Sequence, residues 1–324
     1  MILRNAVEAA TWAPSLHNTQ PWSFTIDGDQ VGVRPDLDRL LPLADQGGRQ
    51  MLISCGAAIF NLRTSLGAAG RLAVTELLPD PEQPELLATV TVGEEIEPDR
   101  LAVLLSAEIE RRRTHRAGFT DLPVPDPLIE AMIGQAAEEG VRLAPVRAVA
   151  ALQALSALTE AAQAVQKQNP AVDAELDRWT RPPGSTRGDG VPAAATALTP
   201  SWTVPAFAQR EYPGARKWAR DSENAAFYNS TGLVIVMTTL GDGPADWIAT
   251  GQALQAILLH ASAYGVSAAF HTQSLERPGL RAFIREDLCE GEYPQMIIRM
   301  GIVFDDTPSV RRDLSEMLDG TKVL

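Results

Sequence analysis

The chain has 324 residues, of which 45% are hydrophobic and 21% charged, enough for a large buried core and too apolar for global disorder. The length permits one large domain or two ordinary ones. Lys and Arg number 28 against 41 Asp and Glu, a net charge of −13, so neither a nucleic acid nor an anionic membrane surface is an expected partner.

In chain order, residues 3–12 read as a short helix with Leu3, Ala6, Val7 and Ala10 on one face. Ala13-Pro14 ends it, because the residue before proline is driven out of the helical region. Residues 22–34 alternate like a hairpin around Asp27-Gly28. A strong helix is expected over 49–67, striped by Met51, Cys55, Ile59, Leu62 and Leu66 and stopped by Gly70. Strands follow at 72–78 and 86–92, then a helix at 99–113 ending in Arg111-Arg112-Arg113.

Asp126 is the expected N-cap of a helix running to Glu139, with Pro127 at its first position and Gly140 as its stop. An Ala/Leu-rich helix at 147–168 halts at Asn169-Pro170. Residues 181–220 are irregular and rich in Pro and Gly, yet carry Trp202, Phe207, Tyr212 and Trp218. Linkers lack aromatics, so this stretch is expected to pack on something. A buried strand at 232–240, a helix at 246–264, a strand at 266–270, a helix near 277–287 and a strand at 296–304 complete the core.

An internal echo links the two longest core helices at a constant offset of 195. Gly56 aligns with Gly251, Ala58 with Ala253, Ile59 with Leu254, Leu62 with Ile257, and the stop Gly70 with Gly265. Leu3–Ala10 also resembles Ile129–Ala136, each ahead of an Ala-Pro (Ala13-Pro14; Ala144-Pro145). Two related halves, 1–103 and 104–324, are therefore expected.

Cys55 and Cys289 are the only cysteines, and the histidines (17, 115, 260, 271) lack zinc spacing, so neither a disulfide framework nor a metal is expected. There is no nucleophile elbow, Walker loop or well-placed dinucleotide fingerprint. No long apolar run and no signal-peptide layout are seen, so a cytoplasmic location is expected. Two polar clusters stand out. Ser15-Leu16-His17-Asn18-Thr19-Gln20 offers uncharged donors and acceptors, which suit a heteroaromatic ring or simply cap a loop. Arg111-Arg112-Arg113-Thr114-His115-Arg116 suits a phosphate, or a solvated helix end paired with Glu108 and Glu110. Arg311-Arg312 could serve the same phosphate or open a C-terminal helix.

Ala13-Pro14-Ser15-Leu16-His17-Asn18-Thr19-Gln20-Pro21-Trp22 resembles the A-P-S-x-x-N-x-Q-P-W signature of the FMN-dependent nitroreductase superfamily. Arg112-Arg113-Thr114-His115-Arg116 is similar to its R-R-S-x-R phosphate motif. With Ile53-Ser54-Cys55-Gly56-Ala57-Ala58 downstream, the chain looks like the actinobacterial, dormancy-associated Acg family.

The resemblance implies an α+β nitroreductase-like fold of central, mainly antiparallel sheets flanked by helices. In ordinary members the arginine motif precedes the A-P-S motif and two chains form a homodimer with two FMN sites. Here the order is reversed, which implies an intramolecular pseudo-dimer, monomeric or weakly dimeric, with one FMN per chain. By carry-over Arg112, Arg113, Thr114 and Arg116 hold the phosphate, helped by Arg311 or Arg312. Ser15, Leu16, Asn18 and Gln20 lie against the ribityl chain and ring, and Gln273 touches the ring edge. No side chain is assigned a catalytic role, since the chemistry belongs to the flavin. The expected function is FMN binding, with sequestration under a lid formed by about 181–220. The alternative is an NAD(P)H-dependent nitro or quinone reductase working by ping-pong hydride transfer.

Overall fold

The computed structural model describes residues 2–196, 203–212, 225–305 and 308–319. Trp202 and Trp218 lie outside the described residues.

The first part of the chain runs α1 (Ile2–Thr11), β1 (Trp22–Asp27), β2 (Gln30–Pro35), α2 (Arg49–Ala68), β3 (Arg71–Leu77), β4 (Ala88–Glu95) and α3 (Arg100–Ser106). The Gly28-Asp29 turn closes the β1–β2 hairpin in register, with Asp27 opposite Gln30; Gly28 takes the positive φ of 59° that this turn needs. The second part runs α4 (Asp126–Glu138), β5 (Arg142–Pro145), α5 (Val149–Lys167), α6 (Pro170–Arg178), β6 (Thr180–Arg181) and β7 (Val191–Pro192). It continues with β8 (Leu233–Thr239), α7 (Pro244–Ala263), β9 (Val266–Phe270), α8 (Pro278–Leu288) and β10 (Tyr293–Ile302).

Two four-stranded antiparallel sheets result, with orders β1-β2-β4-β3 and β5-β8-β10-β9. Replacing β1, β2, β3 and β4 by β5, β8, β9 and β10 turns one order into the other. Each sheet follows a short helix (α1, α4) and holds a long one (α2, α7) between its second and third strands in sequence. The second copy carries insertions between β5 and β8 and between β9 and β10. The fold is therefore α+β, two fused halves of the same topology forming an intramolecular pseudo-dimer.

The halves meet where α2 crosses α7. A Cβ on Gly56 would stand 2.1 Å from the Ile248 carbonyl oxygen, and one on Gly251 would stand 1.9 Å from that of Ile53. Gly56 and Gly251 differ by 195 positions, and so do Ile53 and Ile248, so the contact is reciprocal, as across a two-fold axis. The cores interlock the same way: Ile248 packs into the core beneath the first sheet and Ile53 into that beneath the second.

Several expectations are corrected. Regular helix in α3 ends at Ser106 rather than 113, and turns carry the chain through residue 111. Asp126 is the first helical residue of α4, its cap being Pro125. Asn169-Pro170 not only stops α5 but starts α6, because the Asn169 side chain accepts the Ala171 N–H at 3.1 Å and proline suits the first helical turn. Ala144-Pro145 is not the counterpart of Ala13-Pro14: it lies inside the short strand β5, which follows α4 after three residues, whereas ten separate α1 from β1.

The C-terminal segment returns to the first half. Phe24 N–H donates to Met317 O at 2.7 Å and Asp319 N–H to Phe24 O at 2.9 Å, a parallel bridge along the edge strand β1.

Gly56→Ala should lower the urea midpoint without changing the slope, a loss of about 2 kcal/mol or more from overpacking. Gly134→Ala, with nothing within 4 Å of the added carbon, should leave it unchanged or raise it slightly.

Candidate functional site

The ten residues between α1 and β1 form a tight loop. His17, Asn18 and Gln20 all have positive φ, between 52° and 55°. Such backbone is unfavourable for these residues and persists only where bonds over-determine it. Those bonds are present. Ser15 Oγ accepts the Gln20 N–H at 2.9 Å. The Asn18 amide nitrogen donates to Gly190 O at 3.0 Å and Val310 O at 3.1 Å. Gln20 Nε2 donates to Gly188 O at 2.8 Å, while its Oε1 accepts the Arg312 N–H at 2.9 Å. The loop is clamped between the 188–190 turn and the C-terminal segment. Gly188 allows this approach, since a Cβ there would sit 2.2 Å from Arg311 O.

Beside the loop lies a cavity with about 760 Å³ of open space, its mouth included. Pro14, Ser15, Leu16 and His17 form one wall, Gln50, Ile53 and Ser54 of α2 another, and Leu254 of α7 and Met296 of β10 contribute too. Thr114, His115 and Arg116, then Ala269, Phe270 and Thr272, face them. Gln209, Arg210 and Tyr212 of the insertion close a further side. The 112–116 segment is held in place by the His115 N–H, which donates to Ala268 O of β9 at 2.8 Å. Asp45 positions α2 by accepting the Gln50 and Met51 N–H groups at 2.9 and 2.8 Å.

A smaller pocket of about 380 Å³ adjoins it, sharing Pro14, Ser15, Thr114 and Arg116. Its other walls include Arg112, Arg311, Asn18, Ser309 and Gly190–Pro192. Among the described residues no carboxylate pairs with Arg112, Arg116 or Arg311. Arg112 Nε and Arg311 Nε are buried without a hydrogen-bond partner. Burial, then repulsion from Arg113 and Arg116, lowers Arg112 to about 10, and Arg311 is pushed down by burial and by Arg112 and Arg113. A guanidinium keeps its charge at neutral pH in proteins. Buried cations facing one another without counter-charge fit an anion.

The sequence-derived site residues divide by position. Ser15, Thr114 and Arg116 line both spaces, Leu16 the larger, and Asn18, Arg112 and Arg311 the smaller. Arg113, Arg312, Gln20 and Gln273 line neither. Arg113 lies over the Trp12 ring, 5.8 Å from its centroid. Arg312 pairs with Glu316 at 3.2 Å and Asp36 at 3.6 Å. Gln20 is consumed by the loop, and Gln273 is fully buried against Gln163. Thr272, not Gln273, reaches the cavity.

Sequence reasoning gave no role to His17, His115, Gln50, Gln209 or Arg210. The only signals were the position of His17 within the first motif and the aromatic-rich insertion. Arg210 forms a buried ion pair with Glu276, which ties the insertion to the segment before α8. Gln50 separates the cavity from an open groove of about 1370 Å³ that includes Arg277, Arg281 and Tyr293. The Gln50 Nε2 is itself buried and unpartnered.

Residues 109–302 match the sequence pattern of the Nitroreductase family. A putative NAD(P)H nitroreductase, Rv3131, of Mycobacterium tuberculosis H37Rv is 32% identical over 98% of this chain and 91% of its own. The chain belongs to the nitroreductase family. Another M. tuberculosis H37Rv relative, the putative NAD(P)H nitroreductase acg, is 28% identical over 93% of this chain and 89% of its own. Among solved structures, the FMN-dependent nitroreductase NfnB from Mycobacterium smegmatis in complex with NADPH is similar at a TM-score of 0.41. It shares 18% identity, with 67% of this chain and 97% of that one covered.

Burial also gives the protein a pH signature. It lowers His115 from 6.5 to about 4 and raises Asp45 from 3.8 to about 6. The stability contributed by neutral His115 is complete above 6.5 and lost as pH falls through 4; that of protonated Asp45 is complete below 3.8 and lost as pH rises through 6. His115→Gln should therefore flatten the acid loss of the urea midpoint between pH 7 and about 4, and Asp45→Asn should steepen it; unchanged slopes would contradict the assignment.

Proposed function

We propose that the chain binds one FMN, with its ring in the larger cavity and its phosphate in the arginine pocket. The observation that carries this reading is the pair of buried, unpartnered guanidinium nitrogens of Arg112 and Arg311, beside a cavity walled by both halves of the chain. Arg112, Arg116 and Arg311 would hold the phosphate, with Thr114 and Ser309 supplying hydroxyls. Ser15, Leu16 and Thr272 would border the ring. Asn18 and Gln20 act indirectly, by fixing the loop and the Arg311 segment. The division into 1–103 and 104–324 is proposed as two half-sites. The first supplies the A-P-S loop and the second the arginines, so a monomer would suffice.

Bound FMN supplies two-electron redox chemistry. The chain's task is to position the ring, exclude water and present donors where negative charge grows on reduction. Arg116 lines both spaces, so its charge can act on ring and phosphate alike.

Two uses of the site remain distinct. Gln209, Arg210 and Tyr212 form one side of the cavity and are anchored by the Arg210–Glu276 pair, which supports sequestration beneath the insertion. The groove meeting the cavity at Gln50, together with the name carried by the relatives, supports reduction by NAD(P)H.

FMN titration should reach about one equivalent per chain. Arg311→Ala or Arg112→Ala should weaken it at least tenfold, the scale of a lost charge-assisted bond, whereas Arg113→Ala and Arg312→Ala should change Kd less than about threefold. Protein that takes up no FMN would reject the reading. Anaerobic mixing of the FMN-loaded protein with NADPH separates the two uses: rapid loss of the oxidised flavin absorbance marks a reductase, and its persistence marks a store.

A further inference from the structure

His17 is 3% exposed, lies in the wall of the larger cavity and holds a φ of 52°. Its Nδ1 lies 3.1 Å from the Tyr212 hydroxyl, and the rings meet edge to face with centroids 5.7 Å apart. Its Nε2 is buried and has no partner. A buried polar atom without a partner is unfavourable, and one in a ligand cavity is a place for a ligand to bond.

The Tyr212 hydroxyl decides which nitrogen carries the proton. If His17 donated from Nδ1, the phenolic proton of Tyr212 would need another acceptor, and among the described residues none is within hydrogen-bond reach. If Tyr212 donates to Nδ1, that proton is placed and the neutral ring carries its own proton on Nε2. Burial, Arg210 and Arg116 hold the ring neutral by lowering its pKa.

We propose that His17 is a ligand-binding residue: it donates an Nε2–H hydrogen bond to an electron-rich acceptor, a carbonyl oxygen or anionic ring nitrogen, on the molecule occupying the larger cavity. Tyr212 is a positioning residue that fixes the donor tautomer. Where the occupant is FMN the proposal rests on the reading above, and His17 joins Ser15 and Leu16 as a contact from the A-P-S loop, completed by an aromatic side chain from the insertion. A neutral donor is suited to this task because it binds the uncharged ring and strengthens its bond as the ring gains electrons.

The tautomer can be read by two-dimensional ¹⁵N–¹H NMR of the ligand-free protein, then followed while FMN is added. The expected spectrum shows His17 protonated at Nε2, with both tautomers appearing in Tyr212→Phe. On FMN addition the Nε2–H resonance should shift. His17→Asn, chosen because asparagine tolerates positive φ, should weaken FMN binding about tenfold, and Tyr212→Phe by a smaller factor, with thermal midpoints confirming that both variants fold. A wild-type His17 protonated at Nδ1 overturns the tautomer assignment. FMN binding with no shift at His17 and an unchanged Kd in His17→Asn overturns the proposal while leaving the flavin reading intact. Failure of FMN to bind overturns both.

Discussion

The crossing of α2 over α7 is the constraint on which the rest of the structure depends. Two backbones approach so closely at Gly56 and Gly251 that each glycine faces a carbonyl of the other helix. No side chain fits between them, so the helices form one layer shared by both sheets. Ile53 and Ile248 then reach across into the opposite cores. This exchange makes the halves inseparable in a way that a linker would not. It also brings Gln50, Ile53 and Ser54 of α2 and Leu254 of α7 to the wall of one cavity.

The duplication is symmetric in its sheets and asymmetric in its loops, and the asymmetry creates the site. In the first half ten residues separate α1 from β1, and their left-handed backbone folds into the cavity wall. In the second half three residues suffice, Gly140 makes the turn with a φ of 76°, and Val146 continues from β5 into a bond with Val234. The arginine segment has the opposite distribution, preceding only α4. Each half thus lacks what the other supplies.

Charge is distributed on the same plan. Elsewhere in this acidic chain Arg181 pairs with Asp189 at 2.7 Å, and Arg210 pairs with Glu276. Buried Arg49 donates instead to the backbone and side-chain oxygens of Gln295, and Arg299 is the most instructive case. It is fully buried and bonded to His271 Nε2 at 2.7 Å and to the carbonyls of Thr231 and Ala117. Carbonyls and a neutral imidazole solvate that cation, and its hydrogen bonds are closed. At Arg112 and Arg311 they are not, which separates a cation that holds the fold from cations open to a ligand.

Sequence alone determined the periodic elements, the echo at 195 positions and the two polar clusters, because those signals are local or repeat at fixed spacing. It could not distinguish Arg112 from Arg113, or Arg311 from Arg312. Neighbouring side chains diverge according to what packs beside them: Arg113 donates to the carbonyls of Glu110 and Arg112, while Glu316 and Asp36 hold Arg312. It also left Gln20 and Gln273 in the site, since an amide's availability depends on partners up to 292 positions away. The short strand β5 and the helix start at Asn169 were obscured because proline and Asn-Pro read first as breaks. His17 beside Tyr212 was wholly a tertiary result: the two residues are 195 positions apart, and only the docking of the insertion against the A-P-S loop makes them neighbours.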